Sequence, residues 1–478
     1  MEAHRNNSYL SSTMRKIHLV FVLNLSVLFG HSQSGYKPGY EQLKAYEGIY
    51  EYSNHTTVAI AASPKDSLLY AIINKSKYPL SSFEKDIFLN LSKEKILFLR
   101  DKSNQVSGFI TGKDTFSLLS KNVWFPKTMW YPRLPGDKNS YQYTIPENLK
   151  DGLQTGSITN SGLDAGLLAE MMKKIIGGEY PNVHSILIIK DGRLVFEEYF
   201  YEYNKDSLQE LRSATKSFVS ALTGIAIEKG FIKNVHETVL PYFPEYTIQN
   251  NTSAKKRITI ENMLSNQSGL DCDISNSKSE GNETTMDHSD DWVKFTLDLP
   301  MIDSPGGKGM YCSGNPVTLG RIIEKATNEP LPVFARENLF NPLGIEHFKW
   351  NFKPDKSNAE DFCQLYLRPR DMAKFGLLNL QKGSWNGQQI IDPAWVKQSL
   401  EKHSVVQGVD YGYLWWLKYL DANGVKYYGK AAQGNGGQKI YIWQEQNMVT
   451  VITGGNYNTQ SPSDELIRKY ILPAFNKK

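Results

Sequence analysis

Short runs of β-branched and aromatic residues dominate the first quarter of the chain. They occupy positions 48–53, 57–61, 68–74, 95–100 and 106–111, separated by polar turn-formers such as Asp101-Lys-Ser-Asn104. The pattern predicts a small antiparallel β domain over 34–120, with no constellation of reactive side chains inside it. Residues 121–160 carry Pro126, Pro132, Pro135, Gly136 and Pro146 among aromatic residues, which suits an extended linker. The period then changes. Leu167, Leu168, Met171, Met172, Ile175 and Ile176 recur at helical spacing, with Asp164 placed to cap a helix over 165–176. Two apolar runs, 184–190 and 193–200, flank Asp191-Gly192, a two-residue hairpin signal. Near the C-terminus 439–443 and 448–453 form a second strand pair, and Ser461-Pro462 opens a terminal helix with Leu466, Ile467, Tyr470 and Ile471. Strands at both ends with helices between them predict an α+β domain over 161–478, one antiparallel sheet covered by helices.

Charge and rare residues exclude several classes of function. A net charge of +4 on 478 residues, with no run of lysines and arginines that stands out, gives no reason to propose a nucleic-acid partner. The nine histidines show no His-Glu-x-x-His arrangement, and three cysteines are too few for a zinc site by spacing. No metal or other cofactor is therefore expected. Arg15 and Lys16 precede an apolar run over 17–30 that ends near Gly30 and Ser32, the outline of a signal peptide over 1–33. The run is short for a permanent bilayer anchor; an uncleaved N-terminal anchor is the alternative. An exported protein, periplasmic or extracellular and without a permanent anchor, is the expectation.

Candidate chemistry starts with the segment 211–230. Phe218, Val219, Leu222, Ile225 and Ala226 form a helical stripe, while Ala214, Ser217, Ser220, Ala221 and Gly224 keep the other faces small. A helix so poor in charge is expected to be central and buried. Ser213 and Lys216 stand three residues apart at its start, where Oγ and Nζ can meet. Burial lowers a lysine pKa, so Lys216 can serve as base for the serine hydroxyl. Free N–H groups of the first turn, that of Ser213 included, can face a developing oxyanion. Ser-x-x-Lys spacing also occurs at Ser82/Lys85, Ser92/Lys95 and Ser399/Lys402, so a surface serine and lysine on an ordinary helix is the competing reading.

Two further segments bear on that choice. Met310-Tyr-Cys-Ser-Gly-Asn315 precedes a helix bearing Leu319, Ile322, Ile323 and Ala326, and Gly434-Asn-Gly-Gly-Gln438 leads into the strand 439–443. In this order the three segments resemble the serine β-lactamase and penicillin-binding protein superfamily. There, Ser-x-x-Lys opens a helix, Tyr-x-Asn or Tyr-x-Ser lies on a loop, and Lys-Thr-Gly or His-x-Gly on an edge strand. The resemblance covers 163–478 and includes 259–270, which ends in Ser268-Gly-Leu270. It implies a β-lactamase/transpeptidase-like fold. Ser213 would be the nucleophile, Lys216 its base, and Tyr311 the group that passes the proton to the leaving group and later activates water. A core aromatic and a plain glycine turn are the bland readings of Tyr311 and of Gly436 and Gly437. Ser313 would line the site, and the N–H of Gln438 would complete the oxyanion hole, with Gly436 and Gly437 allowing close approach.

One position departs from the family pattern. Asn435 stands where the family has lysine or histidine, so the site lacks the charge that helps hold a β-lactam carboxylate. Tyr-x-Ser and the aromatic run Tyr411-Gly-Tyr-Leu-Trp-Trp416 look closer to the esterase and 6-aminohexanoate-dimer hydrolase branch, although core packing explains the aromatic run equally well. The expected activity is hydrolysis of a small ester or amide through a covalent acyl-serine. A non-catalytic protein that binds cell-wall fragments and a D-amino-acid peptidase are the alternatives. Cys272 and Cys312 both fall in segments that the family places around the site. A bridge between them would pin the Tyr311 loop, and two free buried thiols are the alternative.

Overall fold

The computed structural model describes residues 36–53, 55–73, 76–133, 141–354 and 363–475. The apolar run over 17–30 lies outside them. No helix among the described residues is long and apolar enough to cross a membrane. The chain forms two compact units that divide between residues 136 and 137.

The first unit is a closed barrel of eight antiparallel strands, sealed where Gly48–Glu51 pairs with both Thr57–Ala62 and Asp114–Ser120. Three of its strands, Ser76–Glu84, Ile87–Leu89 and Asp114–Ser120, give weak sequence signals. Pro79 interrupts the first, the second has three residues, and the third is mostly polar, with Phe116 its fully buried residue. An eight-stranded barrel is just wide enough for side chains to fill. Here Tyr50, Phe88, Phe98, Phe109 and Phe116 do so, with Phe109 and Phe116 stacked at 4.6 Å. Part of the expected linker belongs with this unit: Trp130 packs on Tyr70 at 5.2 Å. Another part belongs with the second unit, where Gln154–Thr155 runs parallel to Arg193 and Leu194 as an edge strand.

The second unit is the expected α+β domain. Its nine-stranded sheet runs Ser404–Val406, Val409–Tyr411, Trp416–Ala422, Val425–Gly434, Gln438–Trp443, Met448–Gly454, Val183–Lys190, Arg193–Tyr199 and Gln154–Thr155. Both ends of the domain meet in this sheet, because Met448–Gly454 pairs antiparallel with Val183–Lys190. Alternate residues feed two cores. Leu187, Ile189, Ile440 and Ile442 face the helices Thr215–Glu228 and Pro369–Leu380, while Ile186, Ile188, Tyr441 and Trp443 face Ala165–Ile176 and the C-terminal helical turns. Asp164 caps Ala165–Ile176 as expected, accepting the Gly166 and Leu167 N–H groups at 2.8 and 3.3 Å. From Thr215 to Ala226 every residue of the serine helix is buried.

Candidate active site

Ser213 lies in a tight turn, Arg212–Ala214, that leads directly into Thr215–Glu228. Arg212 adopts a left-handed backbone with φ of 49°, a strained choice for a residue with a side chain. Two contacts hold it there. Leu211 donates its N–H to the Leu365 carbonyl at 2.9 Å, and the Arg212 guanidinium pairs with Glu210 at 2.8 Å. The strand Val425–Gly434 ends against the same turn: a methyl group on Gly434 would come within 2.0 Å of the Leu211 carbonyl oxygen. The glycine closest to the serine turn is thus Gly434, which the sequence reading did not single out.

Lys216 Nζ donates to Ser213 Oγ at 2.8 Å. The lysine is 8% exposed, in a stretch otherwise lined by small and apolar residues. Its ammonium stands 5.1 Å from the centre of the Tyr311 ring. That ring is buried and packs on Trp416 at 5.1 Å and edge-on to Tyr411 at 6.3 Å. The structure therefore brings Ser213, Lys216 and Tyr311 together. The aromatic run divides its work: Tyr411, Tyr413, Leu414 and Trp415 are core, whereas half-buried Trp416 meets Tyr311. Burial and the neighbouring Tyr311 push the Tyr411 hydroxyl well above its ordinary pKa, and Asn266 opposes them.

Three tethers fix the loop that carries Tyr311. Met310 donates its N–H to the Asn266 carbonyl at 2.9 Å, and Ile274 donates to the Tyr311 carbonyl at 3.0 Å. Cys272 and Cys312 are joined in a disulfide with Cα atoms 5.1 Å apart, so the alternative of two free thiols does not hold in this structure. Asn266 also accepts the Asn315 amide at 3.0 Å. Its only sequence signal was membership of the 259–270 segment.

The remaining candidates are placed less simply. Ser313 is buried, and its hydroxyl donates to Glu283 Oε1 at 3.0 Å. Glu283, from a five-residue helix in a polar loop, carried no signal in the sequence. Asn435 is exposed and pairs with Asn458, donating to its Oδ1 at 2.6 Å and accepting its N–H at 2.9 Å. Gly436 and Gly437 take φ of 92° and 98°. Side chains there would run into Tyr457 at 2.8 Å and Ser461 Oγ at 2.3 Å. These two glycines thus make room for the 457–461 loop, a close approach of protein to protein. The Gln438 side chain is fully buried and donates to the Gly454 carbonyl at 2.6 Å, and its backbone pairs with Gly434 at the end of the hairpin.

Known proteins share this architecture. A solved structure assigned as a 6-aminohexanoate-dimer hydrolase of Bacillus anthracis is 22% identical, with a TM-score of 0.50 over 63% of this chain and 81% of its own. EstCE1, a hydrolase with promiscuous acyltransferase activity, gives a TM-score of 0.53 at 15% identity, over 67% of this chain and all of its own. At such identities the likeness bears on the fold alone. A protein of Escherichia coli K12 assigned as a D-alanyl-D-alanine carboxypeptidase is 26% identical over 211 residues, 38% of this chain and 47% of its own length. The chain spans about half the length of the curated relatives it matches. The beta-lactamase family profile matches residues 167–471, more than half of the chain, and the chain belongs to that family of serine hydrolases and penicillin-binding proteins.

Proposed function

We propose that the protein is an exported serine hydrolase that cleaves a small ester or amide through an acyl-serine intermediate. The observation that carries this reading is the hydrogen bond from buried Lys216 to Ser213 Oγ at 2.8 Å, with the Tyr311 ring beside the same ammonium. For the attack Lys216 acts as the neutral amine: Ser213 Oγ adds to the carbonyl carbon as its proton passes to Lys216 Nζ, and the N–H groups of Ser213 and Gln438 receive the oxyanion. Tyr311 relays a proton to the leaving group, then helps water attack the acyl-serine. Export rests on the signal-like run at 17–30, and the Cys272–Cys312 bridge suits an oxidising compartment.

A fluorophosphonate probe tests the reading, because it needs an activated serine and no knowledge of the substrate. Labelling of the wild type and none of Ser213→Ala is the expected result. An unlabelled wild type would favour a binding protein of the same fold. A D-amino-acid peptidase is the second reading, favoured by the similarity to the carboxypeptidase-like relative. Release of D-alanine from a D-alanyl-D-alanine peptide would support it.

A further inference from the structure

Tyr411 is a buried phenol to which the proposed mechanism gives no role. Its ring stands edge-on to Tyr311 at 6.3 Å and to Trp416 at 5.0 Å, and Trp416 packs on Tyr311 at 5.1 Å. The three rings close a triangle. In a close-packed interior a shift of Tyr411 therefore reaches Tyr311 both directly and through Trp416.

Asn266 approaches Tyr311 from two sides. Its backbone is left-handed, with φ of 57°, a conformation that asparagine tolerates better than most residues. From that turn its carbonyl accepts the Met310 N–H at 2.9 Å, one residue before Tyr311. Its side chain, 1% exposed, meets the helix Gly314–Thr327 that follows the Tyr311 loop, where Oδ1 accepts Asn315 Nδ2 at 3.0 Å. With the oxygen so engaged, the NH2 end of the amide is the one turned to other partners. Asn266 also acts on the Tyr411 hydroxyl, opposing the rise in pKa that burial and Tyr311 cause, which is the effect of an N–H donor at a phenol oxygen. The backbone of this residue thus holds the chain at Tyr311, while its side chain holds a ring on which Tyr311 packs.

We propose that Asn266 is a positioning residue for Tyr311, setting its ring through the Met310 backbone on one side and the Tyr411 hydroxyl on the other. This rests on the reading of Tyr311 as the proton relay of an acyl-serine hydrolase. Two substitutions isolate the side-chain half of the device. Asn266→Gly keeps the left-handed backbone free of strain and retains the carbonyl that Met310 uses. Tyr411→Phe removes one oxygen and leaves the ring packing in place.

The test is a double-mutant cycle on kcat for p-nitrophenyl butyrate, with active sites counted by fluorophosphonate labelling to completion. Asn266→Gly should lower kcat about tenfold with KM within about twofold, because a small displacement of a relay group acts on turnover rather than on binding. Tyr411→Phe should lower kcat about threefold by the same route. Both losses should shrink to less than about twofold in the Tyr311→Phe background, where the positioned hydroxyl is already gone. Undiminished losses in that background, or a loss confined to the number of active sites, would assign Asn266 and Tyr411 to the fold alone. Either result overturns the proposal and leaves the hydrolase reading intact. Wild-type kcat in Tyr311→Phe would overturn the relay and the proposal together. Should Asn266→Gly fail to fold, the Tyr411→Phe cycle decides by the same criterion.

Discussion

In the barrel, the buried polar side chains among the described residues are Ser63 and Ser76, and aromatic rings fill the centre. The hydrolase unit instead buries Lys216, Lys255, Lys374, Arg370 and Asp371. Most of these charges meet fixed acceptors. Lys374 donates to the Gly344 carbonyl at 2.9 Å and pairs with Asp371 at 3.3 Å. Arg370 forks onto both oxygens of Glu197 at 2.7 and 2.6 Å. Lys255 donates to the carbonyls of Gln249 and Leu297 at 2.9 and 2.7 Å, and burial brings its ammonium down to about 8. Lys216 gives its hydrogen bond to a serine hydroxyl, a weaker partner that can itself lose a proton. Lysines held by carboxylates and carbonyls support the fold; Lys216, whose Nζ meets a hydroxyl instead, is the one the proposed mechanism uses as a base.

That contrast breaks most visibly by mutation of the two kinds of lysine. Ser213→Ala should abolish hydrolysis of p-nitrophenyl butyrate, and Lys216→Ala and Tyr311→Phe should each cost roughly two to four orders of magnitude in kcat. Lys374→Met should leave kcat per folded molecule near wild type but cost about 1–3 kcal/mol, because the Gly344 carbonyl loses its donor while Asp371 keeps Arg368, at 2.8 Å. Urea denaturation and kcat measured on the same preparations separate the two. A Lys216→Ala variant that turns over butyrate normally would end the distinction.

The sequence made the second unit more legible than the first, for a physical reason. The strands and helices of the hydrolase unit are long and buried on defined faces, so the periodicity of residues such as Leu168, Met171 and Ile175 reports their packing. Barrel strands such as Ile87–Leu89 are too short to show a period, and closure depends on a pairing between Gly48–Glu51 and Asp114–Ser120 across the whole unit. At the candidate site, the proximity of Ser213, Lys216 and Tyr311 was legible because each belongs to a local motif. Glu283, Asn266 and Gly434 were not, since each acts through contact with a residue distant in the chain. The left-handed backbone of Arg212 likewise has no signature in a side chain that ordinarily avoids it.

The barrel contains none of the three cysteines, and the hydrolase unit uses two of them beside Tyr311. With the bonded positions 40 apart in the sequence, the bridge should contribute about 3–4 kcal/mol by restricting the unfolded chain. Cys272→Ser with Cys312→Ser should lose that much stability. It should also lower kcat, because a tether of the Tyr311 loop is gone. Alkylation of the denatured, unreduced protein followed by mass spectrometry should find a single free thiol, Cys363. Three alkylated cysteines would leave the loop held by hydrogen bonds alone.

The smallest expected effect concerns a charge missing from the glycine-rich turn. Asn435 offers an amide where β-lactamases have a cation, and Asn458 already occupies both ends of that amide. A charge-assisted hydrogen bond is roughly twice as strong as a neutral one, so binding a substrate carboxylate here should be weaker by about 1–2 kcal/mol. Expressed in the transition state, this is about a five- to thirtyfold handicap on β-lactams. Short neutral esters carry no carboxylate and escape it. The wild type should therefore hydrolyse p-nitrophenyl butyrate well and nitrocefin poorly. Asn435→Lys should raise kcat/KM for nitrocefin relative to butyrate, provided the lysine reaches past Asn458. Asn458→Ala added to Asn435→Lys removes that restraint and should enlarge the gain. A wild type that prefers nitrocefin, with no relative gain in either variant, would show that carboxylate recognition does not depend on this position.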